Sequence, residues 1–175
     1  ALGFPFEDQY CVTQSGPSTL LDVPDPDVVA AIQQSWAFVK KQADIMLVID
    51  VSGSMNNEDK IAQARQAAEA FLDNMEPTNR VGLAIFSDSI QVRVPLGNFE
   101  SVEDTLRANI RSLQANGGTE LFAAVTEIVG SMTSSSDDNR IRAVVLLSDG
   151  ADTGSKGYTL ADAITAIDAS RDALN

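Results

Sequence analysis

The chain has 175 residues, enough for one domain with a full core, and at 44% hydrophobic and 21% charged residues it reads as globular. A formal charge of −13 and an isoelectric point of about 4.2 argue against nucleic acid or an anionic membrane as partner, because both need clustered Lys and Arg. The lack of histidine and the single cysteine, Cys11, exclude a Ser-His-Asp triad, a Cys-His dyad and a zinc site of the usual nitrogen and sulfur type.

No long apolar span is present, so direct membrane insertion is not expected. Residues 1–26 are irregular and punctuated by Gly3, Pro5, Gly16, Pro17, Pro24 and Pro26. Asp27 opens a helix with Val28, Ile32, Trp36 and Val39 on one face, where Trp36 is expected to pack. Residues 1–42 therefore read as a linker plus helix, and residues 43–175 as the main domain. Ile45 to Ile49 has the length and β-branched content of a buried parallel strand. Ile61, Ala64, Ala68, Phe71, Leu72 and Met75 recur at helical spacing and predict a helix over about residues 58–75, stopped before Pro77. Val81 to Phe86 is a second buried strand, turned at Ser87-Asp88 into an antiparallel edge strand in which Ile90, Val92 and Val94 alternate with Gln91, Arg93 and Pro95.

Ser101 and Asp104 resemble a capping box for a helix carrying Val102, Leu106, Ile110 and Leu113. The loop Asn116-Gly117-Gly118-Thr119 opens a helix with Leu121, Phe122, Val125, Ile128 and Met132 inward. A polar connection at 134–139 leads to a third buried strand, Ile141 to Leu147, and then to Ser148-Asp149-Gly150. Thr159 and Asp162 cap a last helix with Leu160, Ile164, Ile167 and Leu174 apolar. Strands alternating with amphipathic helices predict an α/β fold: a three-layer, doubly wound, mainly parallel sheet with one antiparallel edge strand. The expected order is hairpin strand, second, first, third. Because the pattern stops after a helix, the fold is expected to be truncated at its C-terminus, leaving an open sheet edge that a homodimer or the N-terminal segment would cover.

Asp50 ends the first strand at the position where open α/β sheets place their ligand sites. Ser52 and Ser54 follow at alternate positions across a sharp turn, and one carboxylate with two hydroxyls makes a hard-oxygen pocket suited to Mg²⁺. Each piece also has a plain structural reading: Asp50 bonding turn amides, Thr119 as a helix N-cap, Asp149-Gly150 as a turn. Glu120 reads as a first-turn helix charge and Asp152 as a solvated loop acid. Aspartyl phosphoryl transfer would want a second Asp where Ser52 stands. No phosphate-binding or dinucleotide glycine loop exists, and no lysine is placed near Ser52 or Ser54 in sequence to activate a nucleophile. An enzyme is therefore not expected.

Asp50-x-Ser52-x-Ser54, then Gly-Gly-Thr119, then Ser-Asp149-Gly resembles the metal-ion-dependent adhesion site of the von Willebrand factor A family, to which integrin inserted domains belong. The resemblance covers roughly residues 43–175, and all five positions are filled in order. It implies that Ser52 and Ser54 bind a divalent cation directly. Thr119 would bind directly in the ligand-competent state and through water otherwise, and Asp50 and Asp149 would act mostly through water or as acceptors behind the ligands. Mg²⁺ is the expected ion, with Mn²⁺ or Ca²⁺ as alternatives. An acidic side chain, Asp or Glu, of a protein partner would complete the coordination. The N-terminal region resembles the junction in bacterial proteins that place a solute-binding domain before an A domain, which implies a fragment of a secreted or cell-surface protein. A second reading is a subunit of an AAA+ assembly, as in metal-chelatase relatives, acting in the cytoplasm. A third is a structural remnant with an empty pocket.

Overall fold

The computed structural model describes residues 41–133, 140–150, 152–154 and 157–172. The helix expected around Trp36, the Pro-rich lead-in, the connection at 134–139 and Leu174 lie outside the described residues.

Strand β1 (Ala43–Asp50) is buried from Asp44 onward. Both of its neighbours run parallel to it. β2 (Arg80–Phe86) pairs on one side, Asp44 with Arg80 through Asp50 with Phe86, and β4 (Ile141–Leu147) on the other, Ala43 with Ile141 through Ile49 with Leu147. β3 (Ile90–Asn98) turns back antiparallel on β2, giving the order β3-β2-β1-β4 that the alternation of elements predicts. Pro95 is tolerated within β3 because this strand lies at the edge of the sheet.

Period-two alternation along β1 and β2 sends side chains to both faces. On one face Leu47, Ile49, Leu83 and Ile85 pack with α1 (Lys60–Asp73) and α2 (Phe99–Arg111), through Ala64, Ala68, Leu72, Leu106 and Ile110. On the other, Met46, Val48, Ala84 and Phe86 meet Ala124, Ile128 and Met132 of α3 (Leu121–Thr133). Alanines at 64 and 68 let α1 lie close to the sheet, and a fully buried Leu such as Leu72 contributes about 2 kcal/mol. No helix among the described residues is long and apolar enough to cross a membrane.

Three details differ from the sequence expectation: where α1 and α2 begin and how far β4 is buried. The helix expected from residue 58 begins at Lys60, after short 3₁₀ turns within Gly53–Asp59 that a kink at Asn57 and Glu58 interrupts, because Glu58 and Asp59 both adopt positive φ, 52° and 55°. The Ser101–Asp104 capping box is not used. α2 starts earlier, at Phe99, whose amide is satisfied by the Asn79 carbonyl at 2.9 Å while its ring is buried. The strand expected to be buried, β4, is half-exposed, since β1 is its one strand neighbour among the described residues. In α4 (Leu160–Asp172), Ala163 is buried, while Leu160, Ile164 and Ile167 are exposed, Ile167 at the mouth of a cleft. A cleft of about 330 Å³ runs between α3, β4 and α4, lined by Val125, Val129, Met132, Val144, Leu146 and Ile167. Thr159 and Asp162 do form a reciprocal cap: the Thr159 amide donates to Asp162 Oδ2 at 2.7 Å, and the Asp162 amide to Thr159 Oγ1 at 3.3 Å.

The N-terminal end of β1 is closed by charge. Buried Asp44 accepts from Arg80 Nε at 2.7 Å and from Arg140, itself largely buried. Burial alone would raise the Asp44 pKa, but the two guanidinium groups outweigh it and hold the carboxyl below its usual range. A depressed folded-state pKa contributes stability above the unfolded value, and that stability is lost as pH falls through the folded one. Asp44→Ala strands Arg140 without its carboxylate and should cost about 3 kcal/mol in urea unfolding at neutral pH. The difference from wild type should shrink as pH falls through the ordinary aspartate range, first because the unfolded chain takes up the proton and finally, at lower pH, because folded Asp44 does.

Candidate metal centre

Asp50 closes the other end of β1 with no exposure to solvent. Its Oδ1 accepts the Ser52 amide at 2.8 Å, as the turn reading expects, and its Oδ2 accepts the Ser148 hydroxyl at 2.7 Å. Ser52 is extended, with φ −64° and ψ 163°, and the 3₁₀ segment begins one residue later. This places Ser52 Oγ and Ser54 Oγ 3.0 Å apart. Ser54 Oγ donates in turn to Asp149 Oδ1 at 2.8 Å. Asp50, Ser52, Ser54 and Asp149 thus form one hydrogen-bonded chain, buried at Ser52 and open to solvent at Ser54.

Thr119 arrives by its backbone. The Asn116 amide donates to the Val51 carbonyl at 2.7 Å and the Gly53 amide to the Gly117 carbonyl at 2.9 Å, tying the two loops together. Asp88 Oδ1 accepts the Gly118 amide at 2.7 Å, and Thr153 Oγ1 accepts the Thr119 amide at 2.9 Å. Thr119 is buried, yet among the described residues its side chain stands outside the chain that joins the other four. At the start of α3 the Phe122 amide donates to Asp152 Oδ1 at 3.2 Å, so the acid at 152, expected to be solvated, serves the helix N-terminus.

Lys60, the first residue of α1, places Nζ 2.8 Å from Asp149 Oδ2. The hydrogen bond from Lys60 pulls the Asp149 pKa down against the upward push of its partial burial, and Asp149 raises that of Lys60 in return. Contrary to the sequence expectation, a lysine does lie near the serines: Lys60 follows Ser54 by six positions and reaches the site in space. It is held protonated against a carboxylate, which is the opposite of what a general base needs.

The oxygens suit a small hard cation. Cis ligands of an octahedral ion at about 2.1 Å stand about 3.0 Å apart. Ser52 Oγ and Ser54 Oγ meet that edge length at 3.0 Å, and Ser54 Oγ and Asp149 Oδ1 come close to it at 2.8 Å. Among the described residues no group of three or more His, Cys, Asp or Glu could hold a metal, so hydroxyls would have to complete any ligand set.

A family model, that of the von Willebrand factor type A domain, matches residues 45–151, which is more than half of the chain. The chain belongs to the von Willebrand factor type A family. Calcium-activated chloride channel regulator 3A-1 of Mus musculus is 34% identical over 113 residues, covering 63% of this chain and 12% of that protein. Calcium-activated chloride channel regulator 1 of Bos taurus is 34% identical over 128 residues, covering 69% of this chain and 14% of that protein. The chain thus spans about one seventh or less of these relatives' length. Among solved structures, a von Willebrand factor type A protein from Catenulispora acidiphila superposes with a TM-score of 0.62 at 23% identity, over 74% of this chain and 31% of that one. The von Willebrand domain of the type V pilus tip protein Mfa5 from Porphyromonas gingivalis gives 0.55 at 22% identity, over 69% and 43%. At these identities the likeness shows the fold.

Around the five expected positions, this von Willebrand factor type A domain adds Ser148, Lys60, Asp88 and Thr153 as residues that hold them in place. Ser148 was visible as the neighbour of Asp149. Lys60 begins α1, Asp88 sits in the β2–β3 turn and Thr153 in the loop after β4, and no motif marks any of the three as part of the site. The demand on the glycines is steric. Gly117 has φ +85°, and a Cβ there would lie 2.3 Å from Asp88 Oδ2. Gly117→Ala should destabilise the domain by about 2 kcal/mol in thermal unfolding. The loss should be smaller in an Asp88→Ala background, where the clash is gone and the backbone strain alone remains.

Proposed function

We propose that residues 43–175 form a metal-dependent protein-binding module of the adhesion type, preceded by a linker and helix over residues 1–42. The observation that carries this reading is the hydroxyl pair of Ser52 and Ser54, at octahedral edge spacing and hydrogen-bonded to Asp149, at the C-terminal end of the central strand. Domains of this family are typically interaction or adhesion modules and often bind a divalent ion, which favours binding over catalysis. The ion is Mg²⁺ in this reading, with Mn²⁺ or Ca²⁺ as substitutes. Ser52, Ser54 and Asp149 would hold it, Asp50 would orient Ser52 from behind, and Thr119 is the member in reserve. A bound ion would supply residual positive charge, because its direct ligands are mainly neutral hydroxyls. The exposed side at Ser54 is where an Asp or Glu of a protein partner would approach. An extracellular or cell-surface setting belongs to this reading, with the pilus tip protein Mfa5 as a precedent for the fold in such a place.

Mg²⁺ at about 100 times its Kd should stabilise the wild-type domain by about 2.7 kcal/mol in calorimetric unfolding. Asp50→Asn and Ser52→Ala should each lose that increment while remaining folded in EDTA. Full Mg²⁺-dependent stabilisation of both variants would remove these residues from the site.

A homodimer through the edge of β4 that no strand covers among the described residues is the second part of the reading. Val144 and Leu146 are its exposed apolar contacts. Sedimentation velocity should show concentration-dependent association that Leu146→Lys abolishes, and a wild type that stays monomeric at high concentration would sink the dimer.

A further inference from the structure

Lys60 stands where a helix end disfavours a cation, and the carboxylates of Asp149 and Glu58 hold its charge there. It is the first residue of α1, whose first turn contains no acidic residue, and a helix N-terminus repels a cation. The chain reaches this position through Glu58 and Asp59, two successive non-glycine residues at positive φ, a conformation such residues rarely adopt. The effect of this kink is to bring Lys60 across to Asp149, 89 residues away in sequence, at 2.8 Å. Both Asp149 oxygens are then committed, Oδ2 to Lys60 and Oδ1 to Ser54. The Lys60 side chain is about a third exposed. It lines an open cleft of about 320 Å³ with Gln63, Ala64 and Ala67, so it has space to move into if released.

We propose that Lys60 is a built-in counter-cation: it holds Asp149 in the metal-free domain, and a divalent ion must displace it in order to bind. The proposal rests on the metal reading of Ser52, Ser54 and Asp149. With the ammonium in place, the two carboxylates of the site present one net negative charge to an incoming ion instead of two. Lys60 thereby weakens metal binding and keeps Asp149 positioned while no ion is there. It sets the divalent concentration at which the site switches on, and it adds positive charge beside the loaded ion, where an acidic partner would dock.

The test is calorimetric titration of Mg²⁺ alone into the wild type, Lys60→Met, Lys60→Gln and Lys60→Arg. Loss of the charge should tighten Mg²⁺ binding about tenfold in the Met and Gln variants, and the Arg variant should stay near wild type. The ammonium protons of Lys60, slowed in exchange by the bond to Asp149, should also speed up as Mg²⁺ saturates the wild type, read by nitrogen-detected NMR of labelled lysine. Equal or weaker Mg²⁺ binding in Lys60→Met and Lys60→Gln, beside a wild type that does bind, overturns the counter-cation and leaves the metal site standing. No binding by any of the four at millimolar Mg²⁺ overturns both.

Discussion

The two hydrogen bonds received by Asp50 organise the ligand end of this domain. A carboxylate with no exposure costs several kcal/mol to bury unless its oxygens are satisfied. One donor is the Ser52 amide, which forces the turn after β1, and the other is the Ser148 hydroxyl, which binds the end of β4 to the end of β1. Because Asp50 cannot be left unpaired, the Ser-Gly-Ser turn and the Ser148-Asp149 loop are held together whatever else occupies the site. The Ser52, Ser54 and Asp149 geometry is a consequence of that single buried charge. The opposite end of β1 follows the same logic with Asp44, where guanidinium groups satisfy the carboxylate and no open oxygen cluster results.

Around this frame the remaining loops are set by close backbone approach. Gly53 and Gly117 share a hydrogen bond that leaves little room for side chains, and Asp88 fills the space under Gly117 and Gly118. The positive φ of Glu58 and Asp59 is a local cost of order 1–3 kcal/mol each, and it sits at the one place where helix α1 must be re-aimed toward the site. Backbone strain and missing Cβ atoms gather with buried Asp50 at the C-terminal edge of the sheet, as expected where local rules yield to a binding task.

Much of this could be read from the sequence, and the reasons differ by element. β1 and β2 are continuous apolar runs flanked by turn residues, so both their existence and their burial follow from composition. The β2–β3 hairpin follows from a turn too short for a crossover. β4 reads equally apolar, yet its exposure depends on how many neighbours it has, which no local pattern encodes. The start of α2 is set by a tertiary bond to Asn79 and overrides a good capping box. At the site, Asp50, Ser52, Ser54 and Asp149 are adjacent because strand ends are adjacent, which topology alone predicts. Lys60 was missed because a helix pattern running through residue 58 hides the kink that turns it inward.

The half-exposed β4 gives the site an uneven footing. Asp50, Ser52 and Ser54 hang from the deeply enclosed strand β1, whereas Ser148 and Asp149 hang from a strand with no fully buried residue, beside a helix whose large apolar residues are exposed. Regions with little buried apolar surface open at lower free energy than the rest of a domain. The oxygen cluster therefore straddles a gradient of local unfolding: one side can detach while β1, β2 and their helices stay intact. Anything that bridges Ser54 to Asp149 would quench that opening, so occupancy at the top of the sheet would be felt as rigidity along β4 and α4.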